Sequence, residues 1–126
     1  MKIFVYGTLL RGEGNHRLLS NARRVGVART TPSYRMHSLG GFPGVVAGGE
    51  QAILGEVYEV DEQTLDALDR LEGHPSFYAR TVIALEGGER VSTYLLERAQ
   101  VARCPVIPSG SWLEHRRGTR SHDYAR

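Results

Sequence analysis

One stretch of the chain, residues 61–73 (DEQTLDALDRLEG), carries helix signals at both ends, and the rest of the fold has to be arranged around it. Asp61 is of the type that caps a helix N-terminus by accepting an orphan backbone N–H. Leu65, Leu68 and Leu71 recur at a spacing of three as an apolar stripe, and Val60 and Leu65 stand at the two positions of a hydrophobic staple. Gly73 can take the left-handed conformation that ends helices, and Pro75 forbids continuation. The spacing predicts a helix over 61–72, which places Glu72 in its last turn.

A carboxylate is the wrong charge for that position. The helix dipole presents partial negative charge there, and Asp69, on the neighbouring turn, is a like charge. Both push the pKa of Glu72 upward, toward the range useful to a general base. Arg70, His74 and Arg80 are the basic residues placed to offset this. The alternative is a solvated glutamate near a helix end.

On either side the chain is cut into short runs by glycine. Residues 2–6 (KIFVY) read as a buried strand and run into Gly7, Thr8 and Leu9. A strand that ends in glycine and a hydroxyl exposes successive backbone N–H groups, which can form a small anion-binding nest. An ordinary turn is the other reading, and neither GxxxxGK[ST] nor GxGxxG is present. Residues 13–22 read as a short helix or helical turn with Asn15 as its candidate cap, and 22–29 and 31–37 as strands. Gly40, Gly41, Gly44, Gly48 and Gly49 around Pro43 mark a loop that folds closely over something or connects tight strands. Residues 53–60 read as a strand in which Gly55 marks a bend or close approach.

Residues 79–85 and 90–96 form a hairpin around Glu86-Gly87-Gly88-Glu89. Residues 101–107 suggest a last strand, and Trp112 and Leu113 begin a helical or frayed end. Six or seven strands against two or three short helices predict an α+β domain with mostly antiparallel pairing. The many glycine bends favour a small β-barrel or strongly curved sheet flanked by short helices over a flat sheet.

With 126 residues, 40% of them apolar, the expectation is one domain over residues 1–114. No apolar run approaches membrane-spanning length, and Ile3, Phe4 and Val5 are too few for a signal-peptide core. The single cysteine, Cys104, leaves no intramolecular disulfide and suits a reducing cytoplasm. Residues 115–126 carry a net charge of +3 and the remaining residues −1. The excess is thus a basic tail, expected to be disordered, and nucleic-acid binding would rest on that tail alone. The five histidines show no HxH or HExxH spacing, and no GxSxG elbow occurs. No metal, no cofactor and no side-chain nucleophile are expected. What remains is a lone carboxylate in a glycine-lined cup.

The segments VYGTLLRGEGNH (5–16), LGGFPGVV (39–46) and LDRLEGHPSFYAR (68–80) together resemble the gamma-glutamylcyclotransferase-like family, over about residues 2–113. The late Gly110-Ser111-Trp112 supports this, and the HPSFY segment is similar to the gamma-glutamylaminecyclotransferase-like branch. The resemblance implies a small β-barrel in which the turn and the glutamate meet in one cavity. It assigns Tyr6, Gly7, Thr8 and Leu9 to holding the alpha-amino acid end of a gamma-glutamyl group. Glu72 becomes the proton acceptor, and Tyr78 packs along the substrate.

The implied reaction is cyclisation of a small-molecule gamma-glutamyl substrate to 5-oxoproline with release of an amine or amino acid, by a cytoplasmic monomer or weak homodimer. No cofactor, nucleic acid or membrane takes part. A non-catalytic small-molecule-binding or regulatory module on the same fold is the alternative.

Overall fold

The computed structural model describes residues 1–124, with side chains through Gly118. In chain order the elements are β1 (Lys2–Val5), β2 (Arg23–Arg29), β3 (Tyr34–Ser38), β4 (Pro43–Ala47), β5 (Leu54–Glu59), α1 (Glu62–Glu72), β6 (Ala79–Ala84), β7 (Arg90–Leu95) and α2 (Trp112–Tyr124). Single 3-10 turns lie at His16–Leu19 and Arg98–Val101.

Strand β1 is central because it is apolar on both faces: Ile3, Phe4 and Val5 are all buried. It pairs antiparallel with β5 (Phe4 opposite Val57) and parallel with β7 (Ile3 opposite Ser92). Antiparallel β2 and β6 complete a five-stranded sheet of order β2-β5-β1-β7-β6. Gly55 marks a close approach, as its place in the strand suggests. A β-carbon there would stand 2.3 Å from the Val5 carbonyl oxygen.

The five-stranded sheet does not close into a barrel. Its outer strands touch at one corner, where Thr31 N–H donates to the Ala84 carbonyl (3.1 Å) and Glu86 N–H to the Arg29 carbonyl (2.8 Å) around a Thr30–Leu85 bridge. Closure requires a continuous ladder between the edges. Here the chain leaves the sheet after Arg29 and builds a separate two-stranded sheet from β3 and β4.

Strand β4 lies inside the glycine-rich segment read as a loop, with Met36 opposite Val45. Conversely, residues 101–107 are not a strand. They make one bridge, His37 to Val106, with Ser38 N–H on the Pro105 carbonyl and Ile107 N–H on the Met36 carbonyl, both 2.8 Å. Pro105 and Pro108 have no N–H with which to extend that ladder. Of the short helix or helical turn expected over 13–22, a single 3-10 turn forms, at His16–Leu19.

The boundary expected after residue 114 falls inside α2, so residues 115–124 are helical rather than irregular. The Trp112 indole N–H donates to Glu13 Oε1 at 3.3 Å, and the Arg116 guanidinium pairs with the same carboxylate. The part of the tail at residues 125–126 lies outside the described residues. Among the described residues no helix is long and apolar enough to cross a membrane.

Candidate active site

Helix α1 delivers Glu72 to a fixed point because both of its ends are sealed. Asp61 Oδ1 accepts from Thr64 N–H at 2.8 Å, and Gly73 caps the other end at φ +67°. His74 N–H then folds back onto the Asp69 carbonyl at 2.9 Å, and Tyr78 N–H onto the Glu72 carbonyl at 3.2 Å. Of the leucine stripe, Leu68 is fully buried and Leu65 half-buried, whereas Leu71 is left exposed beside Glu72.

The Glu72 carboxylate lies at a cavity of about 500 Å³. Tyr6, Gly7, Thr8, Leu9 and Tyr78 line the same cavity, so every site residue expected from the sequence is brought together there. Asn15, Pro43, Leu71, Phe77, Thr93 and Tyr94 line it too, and sequence reasoning assigned none of them to a site. Asn15 was expected to cap a helix. Its side chain instead donates to Thr8 Oγ1 at 3.0 Å, while its backbone N–H donates to the Thr8 carbonyl at 2.9 Å.

The turn after β1 is open on its donor side. The Gly7 carbonyl is taken by Leu10 N–H at 3.0 Å and the Thr8 carbonyl by Asn15, but no acceptor meets the N–H groups of Gly7, Thr8 and Leu9 among the described residues. Gly7 and Leu9 are buried, where an unpaired donor costs about 1–3 kcal/mol. Successive unpaired N–H groups are the elements of an anion nest. From behind, Glu56 Oε1 holds the turn by accepting from Arg11 N–H (3.0 Å) and the Tyr58 hydroxyl (2.8 Å).

Three buried tyrosines tie the walls together. Tyr6 donates to the Tyr94 carbonyl, Tyr78 to the Pro43 carbonyl and Tyr94 to Asp69 Oδ1, each at 2.6 Å. Tyr78 therefore joins the post-helix segment to the start of β4 at Pro43. The Arg80 guanidinium also reaches Asp69, at 3.1 and 3.2 Å, and Arg80 N–H donates to His74 Nδ1 at 2.9 Å.

Burial pushes the pKa of Glu72 up to about 7. The like charge of Asp69 is not the cause. Burial works against the Asp69 carboxylate as well, but hydrogen bonds from Tyr94 and Arg80 outweigh it and keep Asp69 below its ordinary pKa. Arg80 is thereby committed to Asp69. Among the described residues the Glu72 carboxylate has neither a hydrogen bond nor an ion pair. Burial also raises Tyr6, Tyr78 and Tyr94 above the ordinary phenol, with the Glu72 charge adding to the effect in each case. At neutral pH the cavity thus holds three neutral phenols and one carboxyl group poised to gain or lose a proton. Among the described residues no cluster of His, Cys, Asp or Glu suits a metal ion.

The family model described as gamma-glutamyl cyclotransferase, AIG2-like, matches residues 3–114. The gamma-glutamylcyclotransferase family protein YtfP of Escherichia coli is 38% identical over 114 residues, covering 90% of this chain and 97% of that protein. The gamma-glutamylaminecyclotransferase of Bos taurus is 39% identical over 99 residues, covering 68% of this chain and 57% of that protein. In structure, a Pyrococcus horikoshii protein superimposes with a TM-score of 0.81 at 26% identity, covering 97% of this chain and 98% of the other. The glutamate-bearing helix, the donor-rich turn and these likenesses agree: the chain belongs to the gamma-glutamyl cyclotransferase, AIG2-like family.

Proposed function

We propose that this protein cyclises a gamma-glutamyl compound to 5-oxoproline and releases the attached amine. The observation that carries this reading is the sharing of one cavity by an unpartnered Glu72, its pKa raised by burial, and the unpaired N–H groups of Gly7, Thr8 and Leu9. A gamma-glutamyl group contains its own nucleophile, the alpha-amine, so the protein has to hold it folded and move protons.

The turn amides take the alpha-carboxylate or the developing oxyanion. Glu72 accepts a proton from the alpha-ammonium, and the freed amine attacks the gamma-carbonyl carbon. A new carbon–nitrogen bond closes the ring as the bond to the departing nitrogen breaks. Glu72 passes that proton to the departing nitrogen, the second proton that the attacking nitrogen sheds on becoming the ring amide follows it, and the amine leaves as an ammonium ion with Glu72 ionised again. Tyr6 and Tyr78, held neutral by burial, shape the walls without competing for the proton.

The test is release of 5-oxoproline from a panel of gamma-glutamyl amino acids and amides. Release by the parent protein and its loss in Glu72→Gln are expected. A parent protein inert toward the whole panel overturns the reading.

A further inference from the structure

The wall around Glu72 is chemically uneven. Its polar groups are the turn amides, Thr8, Asn15, Thr93, the tyrosines and Glu72 itself, and among the described residues it contains no lysine, arginine or histidine. The side chains that stand most open to solvent on this wall are apolar: Leu71 is 40% exposed and Phe77 42%. Phe42 joins them, its ring edge-on to Phe77 at 6.3 Å, and Phe77 in turn stands edge-on to Tyr78 at 5.1 Å. Phe77 is held there by its backbone. Its N–H donates to the Gly73 carbonyl at 2.8 Å, and its carbonyl accepts from Gln100 Nε2 at 2.9 Å.

An exposed apolar cluster at the rim of a cavity marks a contact surface for a ligand rather than scattered surface hydrophobicity. Its place relative to the chemistry says which part of the ligand meets it. Glu72 has to reach the departing nitrogen, so the group on that nitrogen begins beside Glu72, where Leu71 is its chain neighbour. A carboxylate on that group would meet apolar surface and the like charge of Glu72, with no cation in the wall among the described residues. Arg80 is engaged with Asp69, and His74 Nδ1 accepts from the Arg80 N–H. An aromatic or aliphatic group instead removes its own surface and that of Phe77 and Leu71 from water.

We infer that the rim formed by Phe42, Leu71 and Phe77 selects uncharged, apolar amines as the group attached to the gamma-glutamyl carbonyl. This rests on reading the cavity as a gamma-glutamyl site. The experiment compares the full chain on gamma-glutamyl-benzylamide and gamma-glutamyl-glycine, whose departing amines are of similar basicity, with 5-oxoproline as the readout. The expected kcat/KM is at least about tenfold higher on the benzylamide, the usual weight of a small apolar contact. Phe77→Ala should bring that ratio close to one, and Phe77→Leu, which keeps apolar surface, should retain most of it.

Equal rates on the two compounds, or a preference for glycine, overturn the inference, as does a ratio that survives in Phe77→Ala. If neither compound yields 5-oxoproline, the whole panel decides the cyclotransferase reading, and calorimetric binding of the intact amides decides the rim. Tenfold tighter binding of the benzylamide keeps the inference, and equal binding ends it.

Discussion

Pro43 packs over Gly7 so closely that a β-carbon at position 7 would stand 2.8 Å from its Cγ and 2.9 Å from its Cδ. Two segments far apart in the chain thus meet at van der Waals contact, and the Tyr78 hydroxyl on the Pro43 carbonyl locks the same turn to the segment after α1. The glycine of the first turn is required by this contact rather than by an unusual backbone angle, since its φ is not positive.

Gly7→Ala is therefore expected to destabilise the protein by about 1–3 kcal/mol, the range for overpacking against a stiff neighbour. Turnover should fall as well, because the turn amides move. Pro43→Ala gives back room, so the double variant should be less destabilised than the sum of the two single changes. Chemical denaturation of all four proteins measures this coupling.

Glu72→Gln should lower turnover by roughly 10² to 10⁴. Its effect on stability carries a sign. The folded pKa of about 7 lies above the ordinary glutamate value, so the native state binds the proton more tightly than the unfolded chain. Stability of the parent therefore falls as pH rises from about 4.5 to about 7, by at most roughly 3 kcal/mol. The glutamine variant lacks this slope and should be the more stable protein at pH 8. Thermal melts at pH 5 and pH 8 distinguish the two behaviours.

In the parent, the rate should rise with pH along a limb centred near 7, as Glu72 loses its proton. A limb near the ordinary glutamate range would mean that burial does not tune the base. The measurement is 5-oxoproline release between pH 5 and pH 9.

Tyr94→Phe removes the hydroxyl that donates to Asp69 but leaves Arg80 in place. A loss of about 1 kcal/mol is expected, the net value of one hydrogen bond. Asp69→Asn, which also breaks the pairing with Arg80, should cost more. Urea midpoints of the two variants rank them.

The Glu13 side chain is 8% exposed and is shared by Trp112 and Arg116. Truncation after Glu114 removes Arg116 and leaves a nearly buried carboxylate with one partner, whereas truncation after Gly118 keeps both. The shorter protein should be less stable by about 1–2 kcal/mol, the cost expected for an under-paired acceptor with a partly exposed partner. Equal melting temperatures would show that Arg116 does not hold the helix to the body.

What the amino-acid sequence determined by itself is local. The Asp61 cap, the Gly73 stop, the β6–β7 hairpin and the apolar β1 are each encoded within a few residues and are found where their residues put them. Glu72 and the Tyr6–Leu9 turn are visible locally as a helix that ends on a carboxylate and a strand that ends in Gly-Thr, but each has an ordinary reading beside it, and the family resemblance is what singles them out as a candidate site. The tertiary structure decided whatever depends on long-range approach. Strand β4 forms because β3 offers it a partner, and Asn15 turns to Thr8 once the turn is folded. The sheet stays open because the chain leaves it after Arg29. Most of all, the upward shift of Glu72 has a different origin from the one its neighbours in sequence suggest. Asp69 is neutralised by Arg80 and Tyr94, residues beyond the helix, and it is burial in a wall drawn from the whole chain that raises Glu72. Burial is a property of the packed molecule, and no spacing of residues along the chain can express it.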